Sequence, residues 1–295
     1  MSLVIPEVFA DAVNQSMDVS LRVGKLATDY TDMVEDITTC GDTVHFPTID
    51  RISDADTVTK GTALVPDEVN MSDAKAEIKQ VGKSVRIYDK DGIQVKGKLK
   101  DRLAEQLGQS MAKAVDIDLV MSIRNEAVYK RDVMGGLTVN DIDAVMDVFG
   151  DQMDNEDFAG ILINSQLRRD IVRMDEFTSI EKTYAKSGNG MVKDGVIGYW
   201  AGSIPVVMSD NGTAYDDKLL FAAIKKDALG VVWQKQATTE EEREAKLPAT
   251  DLVANELYAT KLVHTDGVSI AEVYRKGETA SDEANTDTVG GTENE

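Results

Sequence analysis

The sequence predicts an α+β protein in which a long helix separates two groups of strands. Apolar and polar residues alternate after Thr43, and they alternate again on both sides of an Asp266-Gly267 turn. Between these strands, apolar residues recur at four-residue steps from Leu99, which indicates a helix. Strand and helix patterns then alternate through residues 135–235, as they do in a compact α/β unit.

Length and charge restrict the class of protein. The 295 residues suffice for one large domain or two smaller ones. The 53 acidic and 32 basic residues give a formal net charge of −21, and so acidic a surface repels nucleic acid and anionic lipid. We therefore expect neither sequence-specific nucleic-acid binding nor a membrane partner. Because the opening residues lack a signal-peptide pattern, we expect a soluble protein made inside the cell.

The first forty residues predict an arm with one short amphipathic helix. Pro6 suits the start of a helix, after which apolar residues share one face. Few apolar residues follow between positions 20 and 39, so we expect this segment to lie across another surface. The apolar face consists of Val8, Phe9, Ala12 and Val13.

A long β-hairpin is predicted after a strand that contains Val44 and Phe46. Two β-prone runs, 57–65 and 75–88, flank a polar turn region. Few of their residues are strongly apolar on either face, and an isolated two-stranded ribbon is marginal in water. We therefore expect the hairpin to lie on some further surface.

The longest helix is predicted over residues 98–127, and about thirty helical residues extend about 45 Å. Beyond it, Thr138 with Asp141 predicts a helix cap, and Ser165 is the predicted cap of the next helix. Residues 178–195 are polar and glycine-rich, which predicts a loop. Residues 218–234 predict two strands around a tight connection.

Charge and composition guide the interpretation of the last sixty residues. The charged run at 238–246 is typical of a solvated face or a linker. A two-residue period then returns, which predicts further strands. Residues 278–295 contain no Lys or Arg and little apolar bulk, so we expect a disordered acidic tail. The aromatic residues predicted to pack in the core are Tyr199, Trp200, Trp233, Tyr258 and Tyr274.

Cys40 and His45 are the residues that most suggest a metal or nucleophile site. They are the only cysteine and one of two histidines, and the other, His264, is more than two hundred residues away. Two ligands do not make a zinc site, and no third orienting group accompanies the pair. His45 also lies on the strand face opposite Val44 and Phe46, so the stretch is interpreted as a strand.

Other motifs also fail to predict a site. The stretch "DKDG" at 89–92 begins like a calcium loop, but Ile93 occupies the next ligand position. The stretch "SGNG" at 187–190 lacks the preceding strand and the following Lys of a phosphate loop. No Gly-x-Ser-x-Gly elbow is present. The sequence therefore predicts no catalytic, cofactor-binding or metal-binding residue, and no enzyme.

Several stretches, taken in order, carry a family resemblance. "VIPEVFADAV", "GDTVHFPTI", "LINSQLRRDI" and "GSIPVVMSDNG" with "LLFAAIKKDALGVVWQ" resemble the major capsid protein of tailed double-stranded-DNA bacteriophages. Encapsulin shells and herpesvirus capsid floors share that fold. The resemblance covers roughly residues 1–277, and its specificity lies in the order of the elements.

The resemblance implies an α+β fold with an N-terminal arm, an extended β-hairpin loop, a peripheral domain with a long spine helix, and an axial α/β domain. The loop at 183–195 is then a candidate for the symmetry axis. The implied segments are the arm (1–42), a strand and extended loop (43–97), the spine helix and first part of the peripheral domain (98–134), the axial domain (135–235), the second part of the peripheral domain (236–277) and the acidic tail (278–295).

The function implied is that of a head subunit that assembles into pentamers and hexamers of an icosahedral shell around the phage genome. The arm and hairpin would hold neighbouring copies. The implied partners are further copies, a portal protein and, because no scaffolding segment precedes the arm, a separate scaffolding protein or a chain numbered after processing. The implied location is the virion, assembled in the host cytoplasm. The candidate intersubunit contacts are Phe9, Lys60, Arg86, Tyr88, Lys186 and Asn189.

Some relatives crosslink a lysine of the extended loop to a neighbour's asparagine, and Lys60 and Asn255 are the formal candidates here. Nothing in the sequence favours that reaction. Three alternatives remain: an encapsulin-type nanocompartment, an α/β enzyme with residues 135–235 as its catalytic domain, and a surface adhesin. The absence of an export signal disfavours the adhesin.

Overall fold

A layer of helices lies between two β-sheets. The computed structural model describes residues 6–33, 42–49, 71–90, 99–150, 154–179, 195–244 and 246–274. Its helices are α1 (Pro6–Ser20), α2 (Leu99–Glu126), α3 (Val139–Met146) and α4 (Arg168–Ile171). Helices α1 and α2 share one core with both sheets, whereas α3 and α4 cover the opposite face of the second sheet.

The long helix α2 confirms the predicted helix to within one residue at each end. Its 28 residues extend about 42 Å. Four apolar side chains at four-residue steps are buried, and burying each contributes about 1.5–3 kcal/mol. These side chains are Leu107, Met111, Val115 and Leu119.

The first sheet has four strands in the order β1–β12–β13–β4. Strands β12 and β13 form a long antiparallel hairpin, β4 is antiparallel to β13, and the short β1 is parallel to β12. The bounds are β1 (Thr28–Asp29), β4 (Lys79–Tyr88), β12 (Leu229–Glu244) and β13 (Ala249–Leu262).

The second sheet has seven strands in the order β5–β14–β11–β6–β9–β8–β7, with an eighth, β10, paired to β11. Residues on β6 and β11 alternate between the core shared with α2 and the core under α3. The bounds are β5 (Tyr129–Val133), β6 (Phe158–Ile163), β7 (Phe177–Ser179), β8 (Val196–Trp200), β9 (Ile204–Met208), β10 (Ala214–Tyr215), β11 (Lys218–Lys225) and β14 (Val268–Tyr274).

A separate antiparallel ribbon consists of β2 (Thr43–Ile49) and β3 (Met71–Glu77). Val44 and Phe46 are fully buried while His45 is exposed, so the predicted alternation is confirmed. Residues 50–70, which include the predicted 57–65 run, lie outside the described residues.

The structure differs from the sequence-based expectation in how β4 pairs. The predicted run 75–88 divides at Ile78 into β3, which pairs with β2, and β4, which pairs with β13. Local β-propensity identifies strands but not their partners, because pairing depends on contacts distant in sequence. Residues 79–88 therefore belong to the first sheet rather than to the ribbon.

The charged run at 238–246 is strand over residues 238–244, because β12 pairs with β13 along that length. Residues 240–243 are exposed, so the solvated face is confirmed and the linker is wrong. Strand β14, which follows the Asp266-Gly267 turn, pairs with β11 and β5 of the second sheet. The predicted strands 218–225 and 229–234 exist, but they belong to different sheets, so the chain crosses between sheets within three residues.

The capping residues are partly as expected. The backbone N–H and the hydroxyl of Thr138 both donate to the carboxylate of Asp141, which confirms the predicted cap of α3. Asn164, not Ser165, caps the next helical turn, because its side-chain oxygen accepts from the backbone N–H of Gln166. Asn and Ser are both good N-caps, so sequence alone does not separate neighbours of these types.

Candidate functional site

Helix α1 packs directly on α2 rather than forming a free arm. The hydroxyl of Ser16 donates to the backbone oxygen of Glu105 at 2.9 Å. Val13 and Met17 are buried in the shared core, and so is Phe9, whose residue is only 6% exposed. The chain itself therefore covers the side chain of Phe9, which offers little surface to a neighbour while α1 is docked.

A buried carboxylate fixes the segment that follows α1. Asp116 on α2 is fully buried and accepts from the backbone N–H groups of Arg22, Val23 and Gly24, at 3.0–3.2 Å. The side-chain amide of Asn211 donates to it at 3.0 Å. Burial raises the pKa of Asp116, and these four donors oppose that rise by stabilising the charged form. The start of the 20–39 segment, which was expected to lie across another surface, is thus tied to α2 of its own chain.

The base of the β2–β3 ribbon also rests on its own chain. The rings of Tyr30 and Phe46 meet edge to face, with centroids 5.6 Å apart. A Cβ placed on Gly230 would lie 2.9 Å from the Phe46 ring, so only glycine permits this approach. The ribbon base is therefore anchored to β12.

Arg86, a candidate contact, is engaged within the chain. Its Nε and Nη2 donate to the two carboxylate oxygens of Asp251, each at 2.7 Å, and Nη2 lies 3.0 Å from Glu244. The guanidinium lowers the pKa of Asp251 through this bidentate pairing. Tyr88, at the end of the same strand, is 49% exposed. Of the two, Tyr88 has the more available side chain.

The structure does not test the remaining predicted contacts. Lys60, Lys186 and Asn189 lie outside the described residues, as do Cys40 and residues 183–194 of the predicted loop at 183–195. Asn255 has a partner within the chain, since the Thr238 hydroxyl donates to its side-chain oxygen at 2.7 Å.

A charged network joins α2 to the second sheet. Arg124 pairs with Glu272 and donates to the backbone oxygen of Thr213 at 2.9 Å. Lys218 bridges Glu272 and Asp132, with both distances 3.0 Å. Hydrogen bonding to Asp132 is the main cause that raises the pKa of Lys218, so this lysine stays protonated and is unsuited to act as a base.

Glu256 is an ionisable group with a different environment. It is fully buried on β13, and within the part of the chain that the structure describes neither carboxylate oxygen has a hydrogen-bond partner. Burial raises its pKa to about 7. The neighbouring Tyr258 hydroxyl donates instead to Asp118 at 2.9 Å, and Lys79 pairs with the same carboxylate at 2.9 Å.

Two surface clefts lie among the described residues. One of about 510 Å³ lies between α1, α2 and residues 209–211, and it mixes Arg22 and Lys113 with Asp210. Another of about 310 Å³ lies beside α4. Neither is lined by a histidine or cysteine. Within the described ranges, no three His, Cys, Asp or Glu side chains form a metal-binding group.

No described helix is both long enough and apolar enough to cross a bilayer.

Sequence reasoning missed the buried ionisable residues, although a signal was present for two of them. Glu256 occupies an inward position in the alternation Leu252, Ala254, Tyr258. Asp116 shares a helix face with Val120 and Ile123. An acidic residue at an apolar position of a periodic pattern is therefore the signal that could have identified both.

Comparison with known proteins places this architecture. No family model and no curated protein matches the sequence. Among solved structures, a chain of Mycobacterium phage Che8 is 19% identical, with 83% of this chain and 89% of that chain covered and a TM-score of 0.58. A capsid chain of Cyanophage P-SCSP1u is 16% identical, covering 84% and 86%, with a TM-score of 0.58. A capsid chain of Ralstonia phage GP4 is 13% identical, covering 84% and 87%, with the same TM-score. The chain thus has the fold of phage capsid proteins, as the element order predicted.

Proposed function

We propose that this chain, which has the fold of phage capsid proteins, is a major capsid subunit that assembles into pentamers and hexamers of an icosahedral shell around phage double-stranded DNA. The observation that carries the proposal is the extent of the likeness. It covers more than four fifths of this chain and of the capsid chains it matches. Fold alone does not fix function, so the proposal also rests on the sites the chain has.

The chemistry of the described residues supports a structural rather than a catalytic role. Asp116 and the Arg124–Glu272 pair join separate elements of the fold, and their polar atoms are directed at other parts of the chain. An enzyme needs a concave site with an activated acid, base or nucleophile. The clefts beside α1 and α4 offer none of these in their linings.

The partners and location extend this proposal. Further copies of the chain are the principal partners, and Tyr88, Lys60, Lys186 and Asn189 remain proposed contacts between them. A separate scaffolding protein, a portal protein and assembly in the cytoplasm of a host bacterium are likewise proposed. The peripheral domain is proposed to comprise residues 98–134 and 236–277, and the axial domain residues 135–235. Strands β5 and β14 of the proposed peripheral segments pair within the second sheet.

The experiment is electron microscopy of the purified full-length protein in negative stain. We expect rings of five and six subunits or closed shells, because the proposed contacts lie between identical copies. A monomer under all conditions of salt, pH and crowding would overturn the proposal. Shells isolated with a protein cargo instead of DNA would favour a nanocompartment.

A further inference from the structure

Glu256 lies where three elements of the fold meet. It belongs to the inward-facing positions of β13, whose other members pack against α1 and α2. Glu256 is fully buried, and its two carboxylate oxygens have no hydrogen-bond partner among the described residues. A charge placed there would be almost fully desolvated, which is costly unless it is paired.

The strand opposite Glu256 is irregular at the same level. Lys235 pairs with Leu257 and Thr238 pairs with Asn255, so two residues of β12 face Glu256 alone. Such a bulge interrupts the ladder of hydrogen bonds locally. Helix α1 contacts the bulge, where the side-chain amide of Asn14 donates to the backbone oxygen of Ala237 at 3.2 Å.

The charged groups around this position do not neutralise the carboxylate. On β13, the hydroxyl of Tyr258 is directed to Asp118 of α2, and Lys79 of β4 is paired with the same Asp118. Helix α1 places the neutral amide of Asn14 at the bulge. Lys235, the charged residue of β12 beside the bulge, is exposed. Among the described residues, no cation is therefore paired with Glu256.

We propose that Glu256 is a proton-dependent latch that holds the β12–β13 hairpin on α1 and α2. With its proton, the carboxyl group is neutral and remains packed in the core. Without it, the unpaired charge is hydrated only if the hairpin moves away from the helices. This inference goes beyond the proposed function and does not depend on it, because a single chain contains every group involved.

The direction in which pH affects the latch follows from the change in the pKa of Glu256 on folding. Burial raises the pKa of Glu256 from 4.5 in a free chain to about 7 in the folded state. The folded state therefore binds the proton more tightly, so the latch weakens as pH rises from 4.5 and reaches its weakest level above pH 7. Between pH 6 and pH 8, the equilibrium for opening should rise about tenfold.

Amide hydrogen exchange of the full-length, unassembled protein measures this opening. Protection factors, corrected for the intrinsic pH dependence of exchange, should fall about tenfold in β12 and β13 between pH 6 and pH 8. Glu256→Gln removes the ionisable group at nearly constant size, and Glu256→Met replaces it with an apolar side chain. Both variants should show constant protection over that range.

The matched control is Glu242→Gln, which removes an exposed carboxylate from the same hairpin and should retain the tenfold fall. Constant protection of the wild-type hairpin from pH 6 to pH 8 would overturn the proposal. A tenfold fall in protection that persists in both Glu256 variants would also overturn the proposal. If Glu256→Gln does not fold, Glu256→Met and the wild-type profile still decide the question.

Discussion

Gly108 of α2 lies against the backbone of Val13 in α1, so closely that a Cβ on Gly108 would be 2.6 Å from the Val13 carbonyl oxygen. The same Cβ would lie 2.8 Å from the Cβ of Ser16. The two helices therefore meet backbone to backbone at this point. This contact, together with the hydrogen bond from Ser16 to Glu105, holds α1 in its position on the long helix.

Replacing Gly108 with alanine should destabilise the protein by about 1–3 kcal/mol, because the added methyl group must push the helices apart. A loss of stability would be informative, because Gly→Ala inside a helix ordinarily stabilises the helix by about 1 kcal/mol. Urea denaturation measures the difference. The control is Gln109→Ala on the exposed side of α2, which should change stability by less than about 0.5 kcal/mol. A Gly108→Ala protein more stable than wild type would show that the helices do not pack this way.

Replacing Asp116 with asparagine should lower the free energy of unfolding by about 3 kcal/mol. The amide has the size of the carboxyl group, but it loses one acceptor oxygen and directs N–H groups toward backbone donors. Thermal or urea denaturation provides the measurement, and Glu105→Gln, an exposed change on the same helix, is the control. Equal stability of the two variants would mean that Asp116 does not hold the segment after α1.

A double-mutant cycle on Arg124 and Glu272 should give a coupling energy of about 2–3 kcal/mol, because the arginine side chain is only 6% exposed. The matched pair is Arg243 and Asp89, whose side chains are 51% and 39% exposed. We expect a much smaller coupling for this pair, since water and salt screen exposed ion pairs. Similar values for both cycles would count against the buried network as the link between α2 and the second sheet.

Tyr88→Ala should reduce assembly without reducing the stability of the isolated chain. The side chain is about half exposed, so its removal costs little within the chain, whereas an aromatic anchor at an interface contributes about 1–3 kcal/mol. The concentration needed for assembly should rise about tenfold, measured by light scattering. Tyr88→Phe, which keeps the ring, should assemble nearly as the wild type does. Unchanged assembly of Tyr88→Ala would remove this residue from the proposed contacts.

Local patterns in the sequence predicted the elements well. The four-residue recurrence from Leu99 identified α2, and the pair Thr138 and Asp141 identified the start of α3. Both signals depend on residues that are neighbours along one helix. Such signals do not depend on the rest of the fold, and the structure confirms them.

Pairing between distant strands was not predictable in the same way. The sequence predicted residues 79–88 as part of one strand of a hairpin. Their partner β13 is more than 150 residues away along the chain. The charged run at 238–244 is a strand only because β13 provides its ladder. Phe9 was placed on the correct helical face, but the sequence did not reveal that α2 covers that face. Among 53 acidic residues, burial of Asp116 and Glu256 depends on these same long-range contacts.

Mass photometry of the full-length chain over a range of concentrations tests the central claim, that identical copies assemble into rings and shells. We expect species at five and six times the 32.2 kDa chain mass, followed by much larger particles as concentration rises. A single 32.2 kDa species at every concentration and ionic strength would contradict the account.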